Sequence, residues 1–85
     1  MPDGQATMRL GALNPPTRGR VCGFAADGFD PMVISRLREM GFEEGAPIQL
    51  LHQGPVWGDP IAVRVDRLTV ALRRREADGV LVMID

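Results

Sequence analysis

Two short stretches in the C-terminal half of the chain alternate apolar and polar positions with a period of two. Ile61, Val63 and Val65 alternate with Ala62 and Arg64, and Leu68, Val70 and Leu72 alternate with Thr69, Ala71 and Arg73. Successive side chains of a strand leave opposite faces, so this period predicts two half-buried strands. With Asp66-Arg67 as a two-residue turn, Val65 faces Leu68, Val63 faces Val70 and Ile61 faces Leu72, which sets all six apolar side chains on one inner side. Val80 to Ile84 is apolar at both parities, as a central or covered strand is. Between them, Arg75-Glu76-Ala77-Asp78-Gly79 reads as a helical turn ended by glycine.

The period changes upstream. From Pro31 to Met40 the apolar residues Val33, Ile34, Leu37 and Met40 recur at helical spacing, with Ser35, Arg36, Arg38 and Glu39 opposite. Asp27-Gly28 closes what precedes, Asp30 is placed as N-cap and Pro31 at the first helical position. Phe29 and Ile34 stand at the spacing of a hydrophobic staple, and Gly41 is placed to end the helix with Phe42 folding back on Leu37. Arg18 to Ala26, with Val21 and Phe24 among small residues, predicts a first strand that bends at its glycines, and Ala46 to His52 predicts a second. Asn14-Pro15-Pro16-Thr17 marks a turn after Leu10 and Leu13. Gly54 to Pro60 is rich enough in proline and glycine to predict an irregular loop. Met1 to Thr7 carries nothing to pack and is expected to fray, leaving one domain over residues 8–85.

Short strands at close spacing with one inserted helix predict a mainly β fold: a small antiparallel barrel of about five strands, closed because closure removes exposed sheet edges. An 85-residue chain has room for one such domain and a thin core. With 45% hydrophobic and 25% charged residues, the composition excludes wholesale disorder. All ten basic residues are arginine, and they are interleaved with acids to a net charge of −1, so no basic stripe for a nucleic-acid backbone emerges. Arg73-Arg74-Arg75 ends a strand beside Glu76 and Asp78, where a charge run is ordinarily solvated or guards an edge. No stretch approaches the roughly 20 apolar residues of a membrane span, and the start lacks signal-peptide character. A single cysteine fits a reducing compartment, and the expected location is the cytoplasm.

Candidate chemistry is sparse. Cys22 and His52 are the best soft metal ligands and fall short of the three or four that zinc requires, so a structural role is expected for both, with no metal and no cofactor. Ser35 has no nucleophile elbow, and the carboxylate pairs Glu43-Glu44 and Asp27/Asp30 sit in turns where capping is their ordinary use, so no enzyme is expected. Trp57, the single tryptophan, has two readings. It closes one end of the barrel, as the usual burial of large aromatics favours, or it anchors a partner as an exposed hot spot. The helix and the Gly54 to Pro60 segment are not needed to close a barrel, which makes Met32, Arg36, Trp57 and Asp59 the candidate partner contacts.

Arg36-Leu37-Arg38-Glu39-Met40-Gly41-Phe42-Glu43-Glu44-Gly45 resembles the FeoA motif, a helix ending in RL-x-x-[ML]-G-[LF] followed by x-x-G and a strand. Gly58-Asp59-Pro60-Ile61 is similar to the family's G-[DG]-P-[IL], and Val70-Ala71-Leu72-Arg73 with Glu76-Ala77 to its [IV]-A-L-R-x-x-E-A. Leu10, Leu13 and Gly19 resemble its N-terminal L-x-x-L and glycine, so the likeness runs from about Met8 onward, departing at Asn14-Pro15-Pro16. The resemblance implies an SH3-like barrel that serves as the small cytosolic partner of FeoB, the permease with a GTPase domain that imports ferrous iron. A generic protein-interaction module, with self-association open to it, and a nucleic-acid-binding barrel are the other readings. Proline-peptide binding is disfavoured, because the chain lacks tyrosine and has one tryptophan for an aromatic groove.

Overall fold

The computed structural model describes residues 7–25 and 29–85. Most of the expected tail, Ala26 at the end of the first predicted strand, and the Asp27-Gly28 break therefore lie outside the described residues. Among the described residues there are six strands: β1 (Thr7–Arg9), β2 (Thr17–Phe24), β3 (Pro47–Val56), β4 (Asp59–Val65), β5 (Leu68–Leu72) and β6 (Val80–Ile84). A 3-10 turn covers Leu10–Ala12, and the helices are α1 (Pro31–Glu39) and α2 (Arg74–Ala77). All strands belong to one antiparallel sheet in the order β1-β6-β2-β3-β4-β5. β6 is central, as its apolar character at both parities predicts. β1 is the strand the pattern does not predict, because three residues are too few to show a period, and Thr7 belongs to it rather than to the tail.

The helix ends are specified locally. Asp30 accepts a hydrogen bond from the Met32 N–H at 2.9 Å, satisfying a donor that the first turn leaves open. Phe29 and Ile34 both lie against the bare Cα of Gly79, which places the staple on the start of β6. At the far end Gly41 adopts φ 109°, the Gly41 N–H donates to the Arg38 carbonyl at 3.0 Å and the Phe42 N–H to the Leu37 carbonyl at 3.1 Å. This is the Schellman closure, and it delivers Phe42 to the core. The Arg38 guanidinium lies 4.7 Å from the centre of the Phe24 ring, tying α1 to β2.

One hydrophobic cluster fills the barrel. It draws on Leu10 and Leu13, Val21 of β2, Leu37 and Phe42, Ile48 and Leu50 of β3, Ile61, Val63 and Val65 of β4, Leu72 of β5, and Val80 and Val82 of β6. The β4–β5 register is the predicted one, with Val65 opposite Leu68, Val63 opposite Val70 and Ile61 opposite Leu72. Burial follows the prediction on β4 and at Leu72, but Val70 is half-buried and Leu68 is 53% exposed. The difference is positional: β5 is an edge of the sheet, with β4 as its one strand neighbour among the described residues.

Three further expectations are corrected. Gly54 to Pro60 is not an irregular loop. β3 and β4 run on as a hairpin around Trp57-Gly58, whose φ values of 60° and 71° are those of a tight I′ turn. Pro55 and Pro60 are accommodated because both fall in the register irregularity between the Gln53–Ile61 and Val56–Asp59 pairs. Gly54 is required there, since a Cβ would run into the Asp59 carbonyl. Second, Trp57 does not plug the barrel, for it stands 93% exposed at the hairpin tip. Third, the arginine run is not uniformly solvated: Arg73 and Arg75 are exposed, but Arg74 is half-buried and structural.

Candidate functional site

β2 pairs with β3 only as far as Thr17 opposite Leu50, and β5 pairs with β4 only as far as Leu72 opposite Ile61, so the end of the β3–β4 hairpin, Gln53 to Pro60, projects past both neighbours as a two-stranded arm. An isolated hairpin is marginal in water. This one is held by Arg74, whose Nε donates to the Gly58 carbonyl at 2.8 Å and whose Nη2 donates to Gln53 Oε1 at 2.8 Å, both on the arm. Its Nη1 donates to the carbonyls of Gly11 at 3.0 Å and Leu13 at 2.7 Å. One planar guanidinium thus joins the arm to the 3-10 turn and to the residue that follows it, a geometry that lysine cannot supply. From the other side Asp59 Oδ1 accepts the Arg74 N–H at 2.9 Å, so Asp59 is half-buried and faces the start of α2.

The arm's end carries apolar surface. Val56 is 64% and Trp57 93% exposed, adjacent on a turn whose backbone is fixed from behind by Arg74. A large aromatic presented on a rigid support loses little freedom on binding, which is how an anchor residue gains affinity.

Of the other candidate contacts, Met32 is 74% exposed on α1. Arg36 pairs with Glu76 of α2 at 3.6 Å while its side chain stays largely exposed. Glu76 also accepts the Arg73 N–H at 3.2 Å, closing the first turn of α2. A groove of about 410 Å³ lies between α1 and α2, walled by Phe29, Val33, Arg36, Arg73, Arg75 and Glu76. α2 therefore underlies both halves of the candidate surface, meeting α1 through Glu76 and the arm through Arg74.

Arg74 is the functional support that reading the sequence missed. A signal for it exists. Leu68, Val70 and Leu72 occupy one parity of β5, and Arg74 continues that parity inward, where Arg73 and Arg75 do not. The soft ligands behave differently from each other: Cys22 is half-buried in the β-bulge of β2 with its Sγ 3.9 Å from Thr7 Oγ1, and His52 is exposed on β3. Among the described residues, no three His, Cys, Asp or Glu side chains come together as ligands for a metal ion.

Comparison with known proteins gives a consistent picture. The model of the FeoA domain matches residues 8–84. The solution structure of FeoA from Chlorobium tepidum is 36% identical, with a TM-score of 0.77 over 91% of this chain and 70% of that one. The crystal structure of Stenotrophomonas maltophilia FeoA complexed with zinc is 35% identical, with a TM-score of 0.76 over 88% of each chain. That protein is described as a prokaryotic SH3 domain protein and a candidate activating factor of ferrous iron transport. A manganese-dependent transcriptional repressor shares the fold alone, at 19% identity and a TM-score of 0.80 over 98% of this chain and 44% of its own. No curated protein sequence matches the chain. A match over nearly the whole chain, to a domain whose solved members have this SH3-like barrel, places the chain in the FeoA domain family.

Proposed function

We propose that this protein is an accessory factor of ferrous iron uptake that works by binding the cytosolic region of a FeoB-type permease rather than by chemistry of its own. Family membership supports the iron-transport setting. The observation that carries the binding mode is Trp57, an almost fully exposed indole on a hairpin tip locked by Arg74. Exposing that much apolar surface costs solubility, and a partner that covers it recovers the burial. Arg36 and Met32 form the second contact on α1.

The test is a pull-down on the permease's cytosolic region from the same organism, with the Arg36→Ala/Trp57→Ala double variant beside the native chain. Truncating a central aromatic anchor costs about 2 kcal/mol or more, roughly thirtyfold in affinity. Loss of capture at an unchanged unfolding midpoint supports the reading. Undiminished capture by the double variant moves the interface elsewhere, and no capture by the native chain leaves the family membership but removes the permease as partner.

A further inference from the structure

The phase of the β4 ladder can be read from one bond outside the strands: the Asp66 N–H donates to the Pro47 carbonyl at 3.0 Å, on the β3 side. Even-numbered residues of β4 therefore bond toward β3, and Ile61, Val63 and Val65 bond toward β5. On β5 the partners are Leu72, Val70 and Leu68, which leaves the N–H and C=O groups of Thr69 and Ala71 directed away from the sheet. β5 is an edge strand, and Thr69 and Ala71 are both exposed. The free edge has defined ends. Arg67 stands in the turn at one, and at the other the Arg73 N–H is taken by Glu76.

From this we infer that β5 is a strand-acceptor site, taking an extended peptide segment with acidic residues at its ends and apolar residues on alternate positions between them. Backbone groups of Thr69 and Ala71 supply the ladder, as in other strand-addition complexes. Inward side chains of the incoming segment cover Leu68 and Val70, the two apolar positions on the inner face of the β4–β5 hairpin that are incompletely buried. Arg67 and Arg73, both exposed, face its acidic ends. A second copy of the chain fits less well: the antiparallel pairing that sets Thr69 against Ala71 of the other copy brings Arg67 opposite Arg73, so like charges meet at both ends. This surface is distinct from the Trp57 tip, and its test needs no permease.

The probe is a seven-residue acetylated and amidated peptide with aspartate at both ends, six positions apart like Arg67 and Arg73, and valine alternating with threonine between them, titrated into the full chain while amide resonances are followed. Saturable shifts centred on Thr69 and Ala71 are expected. Ala71→Pro deletes an outward donor that the β4 ladder does not use, so it is expected to weaken the peptide at least tenfold while the chain stays folded. Should proline disturb the fold, Arg67→Glu provides the second variant, with an expected fivefold loss for the aspartate peptide and recovery for one that carries arginine only at the end opposite position 67 and keeps aspartate opposite Arg73. The inference is overturned by absence of saturable shifts up to millimolar peptide, by shifts centred elsewhere, or by a sedimenting dimer that Ala71→Pro dissolves.

Discussion

Removing the Arg74 guanidinium should loosen the barrel and the arm together. Five side-chain hydrogen bonds leave with it, four of them at 3.0 Å or shorter. A bond to a charged group contributes about 1.5–3 kcal/mol where water is excluded, which over five bonds would total about 7.5–15 kcal/mol, comparable with the whole stability of such a chain. Arg74 is half-buried, water can reach part of the vacated site, and bonds from one group do not add, so the expected loss for Arg74→Ala is about 3 kcal/mol. A chain of 85 residues has a total stability of about 4–13 kcal/mol, so that loss is large. At about 4–8 °C per kcal/mol for a domain of this size, the midpoint should fall by roughly 12–24 °C. Thermal unfolding followed by circular dichroism measures it, with Arg73→Ala and Arg75→Ala as controls expected within about 0.5 kcal/mol of the native chain. Arg74→Lys should recover little, because an ammonium cannot reach both sides of the fork. If all three alanine variants unfold within a few degrees of one another, Arg74 is not the tie between arm and barrel.

Val63 is fully buried, and Val63→Ala should cost about 1.5–3 kcal/mol in denaturant unfolding, while Leu68→Ala on the edge of the same hairpin should cost less than about 1 kcal/mol. Gly11→Ala should destabilise by about 1–3 kcal/mol, because its Cβ would run into the Arg74 carbonyl and the Asp78 carboxylate where the 3-10 turn meets α2. Calorimetry with ferrous iron or zinc should show no stoichiometric submicromolar binding, since three ligands are the least a zinc site uses; a signal abolished by His52→Ala would contradict this and identify a ligand.

The elements legible in the sequence were those whose signals are local. α1 was marked at both ends by Asp30, Pro31 and Gly41, and the β4–β5 register by alternation that survives only one pairing. What sequence could not give was position in the sheet. Leu68 has the pattern of a core residue and is half exposed because β5 turned out to be an edge, a property of strand order rather than of any window of residues. Gly54 to Pro60 has the composition of a loop because proline and glycine argue against a ladder in general, whereas here each occupies a place that a hairpin with an irregular register leaves open. Residue type alone favours burial of Trp57, and its exposure follows from a turn that no side-chain pattern announces. Of the candidate contacts, Met32 and Arg36 were placed by helical periodicity, and Asp59 proved to face α2 through Arg74.

Because Trp57 is the only tryptophan, labelling the chain with 5-fluorotryptophan gives one fluorine resonance that reports on the hairpin tip alone. Titrating the labelled chain with the unlabelled cytosolic region of the FeoB-type permease, while calorimetry records association, tests partner binding through that tip most directly. The account predicts that the resonance moves from its solvent-exposed position and saturates at the stoichiometry that calorimetry gives. A resonance that stays at its free-chain position while calorimetry shows association would contradict it.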